Sequence, residues 1–397
     1  MKRICRANCL LDHSSALVIA YLFLLHTFVS AHAQIWRSNS APSINWFMAA
    51  SSADGSRLVA VAYAGPVYTS IDSGATWSAT KSASNWNSVA CSADGSTLIA
   101  GNGFAYVSTN SGATWKAGHG GDLVASTGDG QRLLSLWGTG GLQVSTNRGD
   151  TWTAAVALPS DQWTALGCSA DGSHVVAASF FGALYVSTNF GQTWISNSIP
   201  GARWNSVSSS ADGSKWVAAA GMANSAPGPI YFSTNSAASW TQANAPITNW
   251  VGTCASADGR TMFASTASDG QLNARNAIYR STDYGVTWTR LNAPTPWWRG
   301  LACSADGGKL VVVAIGPIYT TQSVQPPNLN IASEGTNAEI SWIVPSTNFF
   351  LQAKLSVDQA DWTTVTDAPM LNFTNLQSFV TRSLSGPCAF YRLALQP

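Results

Sequence analysis

Aspartate is the residue type in this sequence whose placement would allow acid–base chemistry. Glutamate occurs only at Glu334 and Glu339, so residues 34–323 contain none. Glycoside hydrolysis needs two carboxyl groups about 5–10 Å apart. Most aspartates before residue 324 lie in repeated turns, where they have a structural role. We expect no catalytic site in this chain. If there is one, its catalytic residues are the aspartates outside the turns: Asp122, Asp161 and Asp269.

A second group of side chains suits binding. Guanidinium groups bind carboxylates and stack on aromatic rings, and tryptophan offers a broad apolar face. We predict a site for a glycan, a carboxylate or a peptide segment. The alternative is a solvated surface in which the arginines have no ligand. The residues of this predicted site are Arg203, Arg275, Trp297 and Arg299.

The composition argues against nucleic-acid and metal sites. Charged residues make up 10% of the chain and the formal net charge is +1, too little for a basic nucleic-acid surface. The cysteines show no zinc-ligand spacing, and His119 and His174 are the histidines beyond residue 33. We expect no cofactor, no metal and no nucleic-acid partner.

The candidate residues must be positioned by a repeated β-structure. A Trp followed eight residues later by Asp-Gly recurs six times, and a seventh copy has Gly121 in place of the Trp. Successive Asp-Gly turns lie 35 to 48 residues apart, which matches a four-stranded unit. Asp-Gly between apolar runs is a strong hairpin signal. The complete copies are Trp46/Asp54, Trp86/Asp94, Trp163/Asp171, Trp204/Asp212, Trp250/Asp258 and Trp298/Asp306.

A second motif follows the third strand of most repeats. It has the pattern Ser-x-Asp/Asn-x-Gly-x-Thr-Trp, in which the Asp or Asn caps turn N–H groups and Gly accepts a left-handed conformation. A sixth, degenerate copy at 233–240 has Ala237 in place of Gly and is expected to be more strained. The five good copies are residues 70–77, 108–115, 145–152, 187–194 and 281–288.

This second motif resembles the Asp-box, or bacterial neuraminidase (BNR) repeat, of β-propellers. The likeness covers most of residues 35–322. In its repeats the chain is similar to sialidases and to photosystem II stability and assembly factors, within the WD40/YVTN/BNR-like group. It implies the fold and not the partner. A retaining sialidase pairs a Tyr with a Glu, and residues 34–323 have no Glu, so sialidase chemistry is disfavoured.

We predict an all-β chain whose residues 34–323 form a seven-bladed β-propeller. The last repeat lacks an Asp-box, but Trp36 precedes Trp46 by ten residues, the spacing that separates Trp194 from Trp204. The segment around Trp36 is therefore expected to supply the missing outer strand. Such a strand closes the ring without a free sheet edge.

In this architecture, the candidate residues share one face of the ring. Connections between second and third strands, and connections between blades, lie on the same face, and the longest are residues 221–229 and 266–277. Ligands of propellers usually bind among such loops. The repeat Trp residues are expected to pack between blades.

Beyond residue 33 the sequence retains five cysteines. Three follow the repeat Trp by five residues, in a position that other repeats fill with Ser or Ala, so we expect small buried side chains there. Disulfides or metal binding remain the alternatives for these cysteines. The five are Cys91, Cys168, Cys254, Cys303 and Cys388.

Residues 324–397 follow a different pattern. Alternating apolar runs predict a β-sandwich of six or seven short strands, similar to the immunoglobulin-like or fibronectin-like modules that end many secreted bacterial proteins. A spacer or attachment role is expected. Its predicted core residues are Trp342, Trp362, Phe390 and Tyr391.

Residues 1–33 are predicted to be a secretory signal peptide. Basic residues precede an apolar stretch at 16–29, and Ala-His-Ala ends at Ala33. We expect the remaining chain to be secreted, periplasmic or held at the cell surface, without a membrane span and as a monomer. The predicted function is non-catalytic binding or scaffolding of a glycan or protein, with glycoside hydrolysis as the alternative.

Overall fold

The structure is a computed structural model in which residue 1, residues 5–34 and several short segments are not described. Within the described residues the chain forms strands and turns, and no helix. The first strand is β1 (Lys2–Ile4). The described residues are 2–4, 35–137, 141–155, 158–159, 161–199, 203–222, 226–267, 276–323, 327–334, 336–345, 349–356, 361–383 and 389–395.

Eight strands from both ends of the repeat region form one sheet. The N-terminal strand β2 pairs with β29, so that Trp36 lies opposite Thr321. Strand β28 pairs with β27 and β29, and its end pairs with β3 through Ile315 and Asn45. The eight strands are β2 (Ile35–Ser38), β3 (Ile44–Ser51), β4 (Leu58–Ala62), β5 (Gly65–Ser70), β6 (Ser78–Ser84), β27 (Trp298–Cys303), β28 (Lys309–Gly316) and β29 (Ile318–Gln322).

Between these two halves, the described chain forms five sheets of four antiparallel strands. In each sheet, spatial order follows chain order. They are β7 (Ser88–Cys91), β8 (Leu98–Gly101), β9 (Gly103–Ser108) and β10 (Lys116–Gly121); β11 (Leu123–Ser126), β12 (Leu133–Leu136), β13 (Leu142–Ser145) and β14 (Thr153–Ala154); β15 (Trp163–Cys168), β16 (Val175–Ser179), β17 (Ala183–Ser187) and β18 (Ile195–Ser198); β19 (Trp204–Ser209), β20 (Trp216–Met222), β21 (Ala226–Ser233) and β22 (Thr241–Gln242); β23 (Trp250–Ala255), β24 (Met262–Thr266), β25 (Ile278–Ser281) and β26 (Thr289–Arg290).

A closed cycle of backbone hydrogen bonds joins the Asp-Gly turns. In the described chain, seven small residues take part, and each directly precedes an Asp-Gly pair. Each donates its N–H to the carbonyl of the next member, at 2.7–2.8 Å. The last member donates back to the first. In order, the members are Ala53, Ala93, Gly128, Ala170, Ala211, Ala257 and Ala305.

The repeat Trp residues are core residues, as expected. Each is at most 6% exposed. Each also meets the Tyr of the third strand edge-on, with ring centroids 5.1–5.6 Å apart, a favourable aromatic geometry. The surrounding apolar residues come from neighbouring sheets, so the core lies between the sheets. The pairs are Trp46–Tyr68, Trp86–Tyr106, Trp163–Tyr185, Trp204–Tyr231, Trp250–Tyr279 and Trp298–Tyr319.

The last strands form two further sheets that share one apolar cluster. Ile340, Trp342 and Val380 from one sheet contact Leu351 and Tyr391 from the other. The first sheet has the order β30 (Leu329–Glu334), β31 (Asn337–Ile343), β35 (Gln377–Ser383), β34 (Met370–Asn372). The second has the order β1, β36 (Ala389–Leu395), β32 (Phe349–Lys354), β33 (Thr363–Thr364).

Candidate functional site

The alternation of strand direction gives the repeat region two chemically different ends. One end carries the connections between second and third strands and those between successive sheets; we call it the loop face. The other carries the Asp-Gly turns and the Asp-box-like turns; we call it the turn face. Because antiparallel strands reverse at every connection, every sheet contributes to both faces.

The turn face is built from self-contained polar turns. In the first Asp-Gly turn, the Ser52 hydroxyl donates to Asp54 at 2.6 Å and the Ser56 N–H donates to the same oxygen at 3.0 Å. Burial alone would raise the pKa of Asp54, but these hydrogen bonds outweigh it and hold that pKa below its ordinary value of 3.8. The carboxylate is therefore engaged in shaping the turn and is not free for a ligand.

The Asp-box-like turns use their polar side chains in the same way. Asp72 accepts the Thr76 N–H at 2.9 Å and the Thr76 hydroxyl at 2.6 Å, and these hydrogen bonds lower the pKa of Asp72. The Ser70 hydroxyl donates to Asp72 and accepts the Gly74 N–H at 2.9 Å. In the copies with Asn, such as Asn110 with Thr114, the Thr N–H still donates to the side-chain oxygen at 2.8 Å, whereas the side-chain amide donates to the Thr hydroxyl at 2.9 Å. These residues stabilise turns.

A turn of the C-terminal strands closes the turn face at its centre. Leu376, with Ile343 and Val344, packs against the small residues of the hydrogen-bond cycle. A Cβ placed on Gly128 would lie 2.6 Å from the carbonyl oxygen of Phe373, so the absence of a side chain there admits the turn. A cavity of about 170 Å³ remains inside, lined by the inner strands and by Leu376. The turn therefore covers part of this end of the ring.

A cavity of about 580 Å³ lies in the turn-face half between β2 and the turn at 72–75. Its cation Lys309 donates to the Asp54 carbonyl at 3.3 Å and to the Ser73 hydroxyl at 3.0 Å. The carboxylates of Asp54 and Asp306 also lie close enough to raise the pKa of Lys309, against the larger effect of burial. Arg37, a second cation, and Asp72 also line this cavity.

Three of the four predicted binding residues lie on the loop face. Arg203 precedes β19 and stacks over Phe180 at 5.0 Å, a cation–π contact. Trp297 precedes β27, is 62% exposed, and its carbonyl accepts the Ile315 N–H at 2.9 Å. Arg299 is half-buried in β27. Arg275 lies outside the described residues. The three described residues therefore share a face of the repeat region.

The alternative catalytic aspartates also belong to loop-face connections. Asp122, between β10 and β11, accepts the Asn87 amide at 3.1 Å. Asp161, before β15, accepts the N–H of Gln162 at 2.7 Å. Among the described residues no hydrogen bond or ion pair joins the two carboxylates, and Asp269 lies outside that part of the chain. Each carboxylate is bound to a neutral amide nearby.

The loop face also carries exposed apolar side chains that the sequence analysis, apart from Trp297, did not identify. In the described repeat region they come from the eight-stranded sheet, from three of the four-stranded sheets and from the two connections on either side of β23–β26, and each has 39–72% of its surface exposed. The available signal was a large apolar residue at a strand end, where polar turn residues are the rule. The set, which we call the apolar crown, is Tyr63, Phe104, Trp137, Phe181, Ile247, Trp297 and Ile315.

Charged residues are few on the loop face and numerous on the turn face. In the described loop-face connections and the adjoining strand start, the charged residues are Asp122, Asp161, Arg203 and Arg299, whose formal charges cancel. The described turns of the other face contain ten aspartates. The ring of sheets thus presents one apolar, nearly neutral face and one charged face. The ten are Asp54, Asp72, Asp94, Asp129, Asp150, Asp171, Asp212, Asp258, Asp283 and Asp306.

The cysteines and histidines supply no reactive group or metal cluster among the described residues. Cys91, Cys168, Cys254 and Cys303 are free thiols. Burial raises the pKa of Cys91 and Cys168 to about 12, which keeps both protonated and unreactive. Cys388 lies outside the described residues. None of the described segments is a helix long and apolar enough to cross a membrane.

Comparison with known proteins identifies the fold. No protein-family model matches the chain, and no curated protein matches it. Many solved structures are similar to it, among them the three that follow. The GH74 xyloglucanase from Xanthomonas campestris has 17% identity and a TM-score of 0.60 over 78% of this chain, and the match spans only 59% of the xyloglucanase.

The other two structures are similar over nearly their whole length. YCF48 bound to D1 peptide has 15% identity and a TM-score of 0.56, covering 75% of this chain and 97% of YCF48. The Cps50 (Swd1) β-propeller domain of Myceliophteria thermophila has 15% identity and a TM-score of 0.57, covering 73% and 100%. At such identities the likeness shows the fold and no activity. The repeat region of this chain therefore has a β-propeller fold.

Proposed function

We propose that this chain is an exported, non-catalytic β-propeller that binds a glycan or a protein, outside the cell or at its surface, through the loop face. The observation that carries the proposal is the apolar crown. It lies at the end of the propeller opposite the turn face, on which the turn containing Leu376 packs. Exposed apolar residues gathered on one face are typical of a binding surface. Arg203 and Arg299 add groups that bind carboxylates or stack on rings.

The proposal includes a seven-bladed ring of Asp-box repeats over residues 34–323, closed by β2. The seven-membered hydrogen-bond cycle and the pairing of β2 with β29 support this blade count. The eight-stranded sheet then counts as two blades, β3–β6 and β27–β29 with β2, which touch through Ile315 and Asn45. We expect this ring to be a monomer.

Two flanking parts complete the proposed organisation. Residues 1–33 act as the signal peptide, and their removal would delete β1 and leave β36 as a sheet edge. Residues 324–397 form a β-sandwich of the kind that ends secreted bacterial proteins, supported by the apolar cluster shared between its two sheets. Because this part covers the turn face, we assign ligand entry to the loop face.

Glycoside hydrolysis is the second candidate. A GH74 xyloglucanase and peptide-bound YCF48 both resemble this chain, so the fold admits either an enzyme or a binding protein. Non-catalytic binding is favoured because Asp122 and Asp161 each bind a neutral amide in the described structure and no ion pair or hydrogen bond joins them there. Paired carboxyl groups are what hydrolysis requires.

A glycan array probed with the full chain tests both candidates. Protein retention and release of sugar are scored together, with Trp297→Ala and Arg299→Ala for binding and Asp122→Asn and Asp161→Asn for hydrolysis. We expect retention without sugar release, weakened by the first pair of variants and unchanged by the second. Sugar release that disappears in the aspartate variants would replace the binding proposal with hydrolysis. If the array shows neither retention nor sugar release, the ligand is expected to be a protein. Cross-linking through residue 297 tests that expectation.

A further inference from the structure

We infer that the ligand of the loop face is a neutral polysaccharide, and that the aromatic members of the apolar crown each stack on a separate sugar ring. The inference rests on the proposed function and narrows its ligand class. Five of the seven crown residues are aromatic. The C–H groups on a pyranose face carry partial positive charge and lie favourably on the negative face of an aromatic ring.

The aromatic side chains are separate platforms. Among the described residues, no ring contact joins two aromatic members of the crown. Phe181 meets Phe180 edge-on, with centroids 5.4 Å apart and planes at 87°. Trp137 lies on the backbone of Gly120, where an added Cβ would be 2.9 Å from two ring carbons. Trp137 is still 42% exposed, so part of the ring remains free to stack on a ligand.

The crown residues are distributed over different parts of the ring of sheets. Backbone contacts link three of them, Trp297, Ile315 and Tyr63. The Ile315 N–H donates to the Trp297 carbonyl, and Ile315 pairs with Asn45. The Asn45 carbonyl in turn accepts the Tyr63 N–H at 2.8 Å. The others belong to separate sheets. In protein–protein interfaces the energetic residues cluster near the centre of the contact. Spaced aromatic platforms suit a polymer whose identical units recur along its length.

The small net charge of the loop face favours a neutral polymer over an acidic polysaccharide or a membrane surface. The formal charges of Asp122, Asp161, Arg203 and Arg299 cancel, and no lysine lies in the described loop-face connections. An acidic polysaccharide needs an excess of cations. Binding to a membrane surface draws on lysine and arginine as well as apolar area. A neutral face is complementary to a neutral polymer that offers hydroxyl groups and apolar ring faces.

The test is co-sedimentation of the full chain with three insoluble neutral polysaccharides: cellulose, mannan and chitin. Parallel arms use calcium-crosslinked polygalacturonate as the acidic polymer and phosphatidylcholine vesicles as the lipid surface. We expect one of the neutral polymers to retain the protein, and Trp297→Ala and Phe181→Ala to weaken binding about tenfold each. Gly120→Ala, which displaces Trp137 without removing it, should also weaken binding.

Matched controls come from the turn face and its edge. Ile71 and Ile195 are 71% and 68% exposed, as accessible as Phe181 and Trp297, but do not belong to the crown. Ile71→Ala and Ile195→Ala should leave retention unchanged. Thermal unfolding of all variants separates lost binding from lost folding.

Each outcome decides between the two proposals. Failure of every neutral polymer to retain the protein overturns the inference, and so does retention that the crown variants do not weaken. If polygalacturonate, vesicles or a protein binds instead and the crown variants weaken that binding, the ligand class is wrong and the loop-face proposal stands. If a ligand binds independently of the crown, both fail.

Discussion

The N–H of Ala305 donates to the carbonyl of Ala53 at 2.7 Å, and this contact joins the last Asp-Gly turn of the repeat region to the first. It completes a cycle that begins with the contact from Ala53 to Ala93. Since every member donates once and accepts once, no backbone group of the cycle is left unpaired at the centre of the turn face. The ring thus depends on residues from both ends of the sequence.

The first prediction concerns closure by β2. Deletion of residues 1–38 removes the strand that pairs with β29, whereas deletion of residues 1–34 keeps it. We expect the longer deletion to lower the unfolding temperature and to aggregate, because it exposes the unpaired edge of β29. The shorter deletion is the matched control, since both lack β1. Scanning calorimetry with light scattering makes the comparison. Equal stability of the two proteins would contradict closure by β2.

The second prediction concerns the turn that closes the turn face. Gly128 is the one glycine among six alanines in the cycle, and its missing Cβ leaves room for the Phe373 carbonyl. Gly128→Ala should displace the turn at 372–376 at a cost of about 1–3 kcal/mol. Hydrogen exchange at the Val344 amide, which donates to the Leu376 carbonyl, reports the displacement. Ala170→Gly creates no clash and is the control.

The sequence predicts the features that depend on short, local patterns. The all-β class and the propeller fold are confirmed, because the Asp-Gly turns and the Asp-box-like turns each satisfy their own polar groups within a few residues. The repeat Trp residues were correctly expected in the core, since large apolar residues at a fixed position in each unit must face the same neighbours.

The features that the sequence does not predict depend on distant parts of the chain. Leu376 has a φ of 54° and reaches the cycle near Gly128, and no local pattern indicates this contact. Tyr63 and Phe104 look like isolated apolar residues until the ring brings them to one face. A single exposed apolar side chain is ordinary, and only the shared face makes the group informative.

The third prediction concerns the degenerate Asp-box-like turn. Ala237 adopts a φ of 62° where the other copies have glycine, and a side chain in this conformation costs about 1–2 kcal/mol. Ala237→Gly should therefore raise the free energy of unfolding by about 1 kcal/mol. The reverse change, Gly112→Ala, should destabilise the protein, because Gly112 has a φ of 93°. Urea unfolding measures both, and a loss of stability in Ala237→Gly would contradict the explanation.

The fourth prediction compares two hydroxyls in equivalent strands. Ser70 bonds to Asp72 and to the Gly74 N–H, whereas the buried hydroxyl of Thr321, in the repeat without an Asp-box, has no partner. Ser70→Ala should cost about 1–3 kcal/mol because it leaves the Gly74 N–H unpaired. Thr321→Val should be neutral or stabilising, since it removes an unsatisfied polar group. Denaturant midpoints test the pair, and equal losses would show that Thr321 has a partner.

The fifth prediction concerns acid stability. Turn carboxylates such as Asp54 and Asp72 have a folded-state pKa below the unfolded value of 3.8. The unfolded chain therefore binds protons more readily, so stability is complete well above pH 3.8 and falls as the pH falls through the folded-state pKa. The unfolding temperature, measured from pH 7 to pH 2, should decline mainly below pH 4.

Asp72→Asn separates this effect from a general effect of acid. Asn110 already occupies the equivalent position and keeps both contacts to Thr114, so the variant preserves the turn without a titrating group. We expect the variant to be less stable than the parent at pH 7 and equal to it once the pH is below the folded-state pKa of Asp72. There the parent carboxyl is protonated and has lost its charge-assisted hydrogen bonds to Thr76. A difference in stability that does not change with pH would show that the charge of Asp72 does not stabilise the turn.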